Sequence, residues 1–199
     1  MCIRDRNSGG NKMKKILITG SEDKDLCKPT TQKLIENDYY VETLSRSSGW
    51  NLGEWDCIKP VVEKADEFDV FINMFANWRF NASLLTYYVF KDWEEKGYSN
   101  KRIINIGSTT DRVVRAKNNL YHYEKKALKE LSTGLSQVGV WSKAPLVTHF
   151  SFGTLENRAE QNPGRLTLNF DDVSNYIIWL LNQPEGVHVN ELSIDPIQQ

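Results

Sequence analysis

Short apolar runs alternate with longer mixed segments along most of this chain. The runs are rich in β-branched residues and end at glycines or polar residues, a pattern typical of strands buried on both faces of a parallel sheet. Five such runs predict strands at residues 15–20, 40–45, 69–74, 102–107 and 144–151. Residues 186–194 predict a last strand that completes the sheet, and residues 49–52 predict a brief additional strand after the second one.

Segments with helical character separate these runs. They predict helices at residues 29–37, 78–96, 121–137 and 170–181, and a shorter helix that ends near residue 66. Pro29 and Pro60 are compatible with the first turn of their helices, where a missing N–H removes no hydrogen bond. Strand–helix–strand alternation predicts an α/β fold with a doubly wound parallel β-sheet flanked by helices, which is a Rossmann-like architecture.

Length and composition indicate one domain. The chain has 199 residues, of which 40% are hydrophobic, and it contains no linker rich in proline or glycine. We expect residues 13–199 to form this domain, with Met13 directly before the first strand. Residues 1–12 are expected to be a non-native or disordered extension, because the first six resemble translated adapter sequence and the next six are polar and glycine-rich.

The charge pattern argues against several classes of function. The formal net charge is −1 and both signs are interspersed, so no basic patch indicates nucleic acid or an anionic membrane as a partner. No apolar run reaches the length of a membrane span. Cys2, Cys27 and Cys57 are too scattered for a metal site or a disulfide framework and indicate a cytoplasmic protein with reduced thiols. We assign no metal, since the three histidines occupy no ligand pattern.

Candidate chemistry lies between the strand at 102–107 and the helix at 121–137. Ser108 ends the strand, Tyr121 opens the helix, and Lys125 follows four residues later on the same helix face. A phenol is a weak acid at neutral pH, and a nearby ammonium favours its phenolate form. Ser108 can hydrogen-bond a reacting oxygen, so the three groups predict a site that interconverts an alcohol and a carbonyl.

The Tyr-x-x-x-Lys pair alone is a weak signal, because Tyr87 and Lys91 repeat it without a preceding strand of the right type. Ser108 supplies the context that the second pair lacks, since it lies 13 positions before Tyr121 at the end of a predicted strand. With this spacing the chain resembles the short-chain dehydrogenase/reductase superfamily, whose serine, tyrosine and lysine form the catalytic site. The resemblance extends from about residue 14 to residue 196 and includes the C-terminal helix and strand.

The turn after the first strand departs most from the family. The resemblance assigns it to pyrophosphate binding through Thr19, Gly20, Ser21 and Leu26. Only Gly20 keeps a family glycine, the turn is one residue longer, and acids at positions 22, 23 and 25 would repel a pyrophosphate. Lys24 and Lys28 are expected to offset this charge in part.

Further positions for NADP follow from the same resemblance. Arg46 follows Ser45 where the family places an acid for the ribose of NAD, so we expect NADP, with NAD as the alternative. The remaining cofactor positions are Asn51 and Leu52 at the adenine, Asn73 and Ala76 in the turn after the next strand, Tyr121 and Lys125 at the ribose, and Gly153 and Thr154 at the nicotinamide. Asn81 is expected to support a proton relay that links Lys125 to solvent.

These expectations define an oxidoreductase that transfers a hydride between NADP(H) and a small carbonyl or alcohol. Two alternatives stay open: a non-catalytic nucleotide-binding or partner-binding domain, which the phosphate turn favours, and a sugar-nucleotide epimerase or reductase, for which little room follows Gly153. Residues 154–169 are expected to form a loop over the substrate. Because the helix at 78–96 is apolar on more than one face, we expect a homodimer or homotetramer.

Overall fold

The sheet of this protein contains six parallel strands. The computed structural model describes residues 13–23, 25–76, 79–113 and 118–197. The strands are β1 (Lys15–Thr19), β2 (Tyr40–Leu44), β3 (Val70–Asn73), β4 (Arg102–Ile106), β5 (Leu146–Phe152) and β6 (Glu191–Ile194). Their order across the sheet is β2-β1-β3-β4-β5-β6, and every neighbouring pair is parallel. The predicted doubly wound sheet is therefore confirmed.

Among the described residues, five α-helices cover the two faces of this sheet. They are α1 (Cys27–Glu36), α2 (Ile58–Ala65), α3 (Asn81–Glu95), α4 (Leu120–Trp141) and α5 (Phe170–Leu181). Alternate strand residues point to opposite faces, as the pleat requires. Leu17, Phe71 and Ile103 pack with α2, α3 and α4, whereas their neighbours Ile18 and Ile72 pack with α1 and α5. Both faces of the sheet are covered by buried apolar clusters, which explains why the strands are continuous apolar runs.

The predicted strand at residues 49–52 was wrong. After β2 the chain forms a tight turn in which Trp50 N–H donates to the Ser45 carbonyl at 2.8 Å. Gly49 has a φ of 89°, a left-handed conformation that glycine adopts without strain. Leu52 then enters the core instead of pairing with β2. In the part of the chain that the structure describes, no strand pairs with the outer side of β2, so the outermost strand of the common Rossmann order is absent there and β2 is an edge strand.

A buried chain of polar side chains crosses the layer between β1 and α3. Thr19 Oγ1 donates to Asn73 Oδ1 at 2.9 Å and accepts from the Met74 N–H at 3.1 Å. Asn73 Nδ2 donates to the Ala82 carbonyl at 2.8 Å and to Thr86 Oγ1 at 3.0 Å. Asn73 therefore joins β3 to β1 through Thr19 and to α3 through Ala82 and Thr86.

The same chain continues from α3 to α4. Thr86 Oγ1 donates to Asn105 Oδ1 at 2.6 Å, and Asn105 Nδ2 donates to Ser132 Oγ at 2.9 Å. Ser132 Oγ in turn donates to the Leu128 carbonyl at 2.6 Å. Because every member is buried and paired, the network holds the serine-bearing strand and the tyrosine-bearing helix in one register.

Candidate active site

The carboxyl ends of the central strands meet at one edge of the sheet. Thr19 lies beside Asn73, Asn73 beside Asn105, and Ile106 beside Phe150 in the strand register. The segments that follow these strands begin with Gly20, Met74, Gly107 and Gly153. The predicted turns thus share the edge at which open α/β sheets bind their ligands.

Ser108 caps a short 3₁₀ turn formed by Thr109–Asp111. Its hydroxyl oxygen accepts a hydrogen bond from the Thr110 N–H at 3.3 Å, and its own N–H donates to Asp111 Oδ2 at 2.8 Å. The first of these bonds orients the Ser108 hydroxyl oxygen, and the second holds the Ser108 backbone at the end of β4.

Tyr121 lies in the first turn of α4. The side chain of Asn119 caps this helix by accepting from the Tyr121 N–H at 2.8 Å. The tyrosine hydroxyl is hydrogen-bonded to the side chain of Ser108. The spacing of serine and tyrosine in the sequence therefore corresponds to a direct contact in the fold.

Lys125 lies one helical turn after Tyr121 and is 3% exposed. Its amine donates to the Ile106 carbonyl at 2.6 Å and lies 5.8 Å from the centre of the Tyr121 ring. The structure therefore brings Ser108, Tyr121 and Lys125 together at the carboxyl edge of β4.

Burial controls the protonation of this site. It raises the pKa of Tyr121, and the carboxylates of Asp111 and Glu124 raise it further, while the hydrogen bond from Ser108 and the charge of Arg158 lower it. Burial also lowers the pKa of Lys125 to about 8, against the opposing effect of the two carboxylates. We expected Lys125 to lower the pKa of Tyr121. The pKa of Tyr121 is raised instead, because desolvation disfavours both the phenolate of Tyr121 and the ammonium of Lys125.

Asn81, the residue expected to support a proton relay, lies at the start of α3. It is buried, and its amide donates to the Leu52 carbonyl at 2.9 Å. This bond ties the start of the helix to the segment that replaces the missing strand. The second Tyr-x-x-x-Lys pair lies on the outer face of the same helix, where Tyr87 is 41% exposed and Lys91 pairs with Glu94.

Hydrogen bonds to neighbouring segments hold the turn after β1. The Gly20 N–H donates to the Leu44 carbonyl at 3.0 Å, and a Cβ at Gly20 would lie 3.2 Å from Cys27 Sγ. Asp25 has a φ of 46°, a left-handed conformation that aspartate tolerates better than most residues, and its carboxylate accepts from Asn157 at 2.8 Å. Glu22 accepts from the Thr43 hydroxyl at 3.4 Å.

The remaining residues of this turn differ in their exposure to solvent. Ser21 is half-buried at the turn, whereas Leu26 belongs to the core beside α1. Burial raises the pKa of Cys27 to about 11, so this residue is a neutral thiol at the start of α1. Lys28 is exposed, and the predicted contribution of Lys24 lies outside the described residues.

The end of β2 carries an exposed cation and no acid. Ser45 is buried and hydrogen-bonded to Ser47 at 2.7 Å, while Arg46 is exposed at the start of a 3₁₀ turn. Asn51 is exposed near Glu54, but Leu52 is 4% exposed. Of the expected adenine pair, only Asn51 offers its side chain to a ligand.

The C-terminal segment lies against Gly153. A Cβ at this glycine would be 2.6 Å from Pro196 and 3.1 Å from Asp195, so only glycine fits here. Arg112, just beyond the serine turn, forms a two-pronged ion pair with Asp195 at 2.6 and 2.9 Å. Thr154 accepts from the Leu168 N–H through its carbonyl. Ala76 is half-buried at the end of its turn.

Two further side chains at this edge were not predicted. Asp111 and His149 form a buried pair directly behind Ser108, with 2.9 Å between His149 Nε2 and Asp111 Oδ2. The signal in the sequence that could have indicated this pair is a histidine within an otherwise apolar strand. Among the described residues, no group of three His, Cys, Asp or Glu side chains is arranged to hold a metal ion.

The fold is that of the short-chain dehydrogenase/reductase structures. ElxO with NADP bound matches with a TM-score of 0.72 and 20% identity, over 92% of this chain and 98% of that one. The closed form of a serine dehydrogenase complexed with NADP⁺ matches with a TM-score of 0.68 and 17% identity, over 90% and 93%. A short-chain dehydrogenase from Burkholderia cenocepacia in complex with NADP has a TM-score of 0.73 and 13% identity, over 91% and 87%.

Comparison of the sequence alone gives no relative. No family model matches the chain, and no curated protein matches it. In the part of the chain that the structure describes, no helix has the length and apolarity needed to cross a membrane.

Proposed function

We propose that this protein is an oxidoreductase that transfers a hydride between NADP(H) and a small carbonyl or alcohol. The observation that carries the proposal is the contact between Ser108 and Tyr121 above the buried amine of Lys125, at the ligand-binding edge of a parallel sheet. When bound, the nicotinamide cofactor supplies the hydride, so the protein's contribution is placement and proton transfer.

The direction of proton transfer follows from the pKa of Tyr121. Burial raises it, so the phenol is protonated at neutral pH and is ready to give a proton to an oxygen that gains negative charge. Ser108 holds that oxygen by donating its hydroxyl proton. These properties favour reduction of a carbonyl at neutral pH, whereas oxidation of an alcohol requires the costly phenolate.

Lys125 supplies positive charge beneath the tyrosine. With a pKa of about 8, it is about nine-tenths protonated at pH 7. Its amine is held by the Ile106 carbonyl, so the charge stays close to the phenol and to the edge where the resemblance places the ribose. This cation stabilises negative charge that develops during the transfer.

The residues at the sheet edge fit a dinucleotide phosphate. Gly20 ends β1 without a side chain, and the carboxylates of Glu22 and Asp25 in its turn accept hydrogen bonds from Thr43 and Asn157. Arg46 is exposed at the end of β2, where Ser45 stands in place of the family's acid, so its guanidinium can pair with a ribose phosphate. The proposed cofactor contacts are therefore the Gly20 turn, Arg46 and the Lys125 amine.

Arg46→Ala is expected to weaken NADPH binding by about tenfold or more and to leave NADH binding within about twofold, because a guanidinium pairs strongly with a phosphate. Isothermal titration with each cofactor measures the difference, with Lys143→Ala, an exposed residue between α4 and the amino end of β5, as a control for lost positive charge. Equal affinities of the variant and the parent for NADPH would refute the assignment of Arg46.

A cofactor titration also separates the enzyme from the second candidate, a non-catalytic domain. The acid-rich turn with Asp25 in a left-handed conformation favours that alternative. Saturable NADPH binding followed by reduction of at least one aldehyde, ketone or quinone supports the oxidoreductase. Absence of binding up to millimolar cofactor would support the non-catalytic domain.

We further propose that two copies associate through the outer faces of α3 and α4. Tyr87 and Tyr88 are 41% and 40% exposed on α3, beside a groove of about 720 Å³ toward α2, and Trp141 is 84% exposed at the end of α4. Such apolar surfaces on neighbouring helices are typical of contacts between subunits.

Tyr88→Arg is expected to shift the protein to the monomer, because the new charge would be buried against a second copy. Sedimentation equilibrium at micromolar concentration measures this shift, and Trp179→Arg on α5 is the matched control on the opposite layer. A monomeric parent protein, or a dimer that Tyr88→Arg leaves intact, would contradict the proposed interface.

A further inference from the structure

A buried cluster of polar groups lies behind the proposed catalytic serine. The Asp111 carboxylate accepts from the Ser108 N–H at 2.8 Å, from the Ser151 hydroxyl at 2.8 Å and from His149 Nε2 at 2.9 Å. Asp111 lies in the serine turn, whereas His149 and Ser151 lie on β5. One carboxylate therefore connects the serine turn to the neighbouring strand.

The carboxylate in this cluster is charged. Burial would raise the pKa of Asp111, but the bonds from His149, the Ser108 backbone and Ser151 together hold it below its usual value. A carboxylate is an acceptor only, so His149 must carry a proton on Nε2. Its Nδ1 atom is buried and has no hydrogen-bond partner among the described residues. Among the described residues, the hydrogen bond from Nε2 to Asp111 is therefore the one that the His149 ring makes.

Gly107 provides independent support for this arrangement. A Cβ at this position would lie 2.4 Å from His149 Nε2 and 2.5 Å from Asp111 Oδ2. Every other residue would displace the histidine or the carboxylate. Because Gly107 has no side chain, the His149 ring and the Asp111 carboxylate can occupy the space beside it.

We propose that Asp111 and His149 are positioning residues for Ser108. Asp111 holds the serine backbone through the Ser108 N–H, and His149 and Ser151 hold Asp111 from the rigid strand β5. With the Thr110 N–H donating to the serine oxygen, the serine proton remains directed at Tyr121 or at a substrate oxygen. This inference rests on the proposed function, in which Ser108 orients the reacting oxygen.

The test compares two variants of His149. Loss of the Nε2 donor in His149→Phe is expected to lower kcat by about tenfold to a hundredfold, because small displacements of a positioning group are costly in turnover. NADPH affinity should stay within about twofold, since the cluster does not contact the proposed cofactor residues. His149→Gln retains a donor near the same place and should recover most of the lost turnover.

A second measurement needs no substrate. In the parent protein the Ser108 amide proton should resonate far downfield, because it is bonded to a buried carboxylate, and Asp111→Asn should move it upfield. Gly134→Ala is the matched control and should leave the Ser108 amide shift unchanged, because a Cβ at position 134 meets nothing within 4 Å. Thermal melts establish that each variant is folded before its kcat is compared.

The outcomes separate the two proposals. Parental kcat in His149→Phe, or an unchanged Ser108 amide shift in Asp111→Asn, would overturn the positioning role. If His149→Phe does not fold, the Ser108 amide shift is measured in His149→Gln and Asp111→Asn instead. A displaced amide together with no carbonyl reduction by the parent protein would support the positioning of Ser108 while refuting the oxidoreductase.

Discussion

Tyr121→Phe is expected to lower carbonyl reduction by about 10²- to 10⁴-fold, the range in which a general acid contributes. The change removes only the hydroxyl that contacts Ser108, and it leaves the ring against α4. NADPH affinity should stay within about twofold, because the proposed cofactor contacts come from Gly20, Arg46 and Lys125. Single-turnover oxidation of bound NADPH, followed by its absorbance, measures the chemical step.

The chain offers a matched control for this experiment. Tyr87 is the first residue of the second Tyr-x-x-x-Lys pair, but it lies on the outer face of α3, in the groove toward α2 that Ser108 does not line. Tyr87→Phe should therefore retain the parental turnover. Turnover that persists in Tyr121→Phe would refute the assignment of the proton donor.

Lys125→Met is expected to lower turnover by about a hundredfold or more, because it removes the buried cation beneath the phenol. The same change should stabilise the fold. Burial lowers the pKa of Lys125 from 10.5 to about 8, a difference that corresponds to about 3 kcal/mol at pH 7. Loss of the bond to the Ile106 carbonyl offsets about 1 kcal/mol, so the variant should be more stable by about 2 kcal/mol.

The pH dependence tests the source of this gain. Between about pH 8 and pH 10.5 the unfolded chain binds more protons at Lys125 than the folded protein does, so the parent becomes more stable with rising pH relative to the variant. The stability gap between variant and parent should be largest below pH 8, close near pH 10 and reverse slightly at pH 10.5, where the loss of the hydrogen bond to Ile106 outweighs the small remaining charge effect. Urea unfolding at pH 7, 9 and 10 measures it, and a gap that is constant with pH would exclude the buried charge as its cause.

Much of the fold could be predicted because each apolar run in the sequence indicates a strand without knowledge of the rest of the chain. The strands from Lys15 to Phe152 and the helices between them follow from runs and periodicity that each segment carries by itself. The exception is residues 49–52, where Gly49 turns the chain and Leu52 finds its partners in α2 and α3. Neither the turn direction nor those partners can be read from a four-residue segment.

The candidate site was predictable in its spacing but not in its surroundings. Ser108, Tyr121 and Lys125 are joined by one strand end and one helix, so sequence distance determines their contact. Asp111 meets His149 across 38 positions, and Asn81 meets Leu52 across 29, contacts that only the assembled sheet creates. The pKa values depend on burial, which the sequence does not reveal for single polar residues.

The missing outer strand leaves the backbone of β2 without a partner on one side. An open strand edge can add a strand from a second molecule, which is a route to aggregation. Glu42 occupies the middle of this border strand and pairs with Lys64 at 3.1 Å. A charged pair at that point makes strand addition unfavourable, because an incoming chain would have to remove both groups from water.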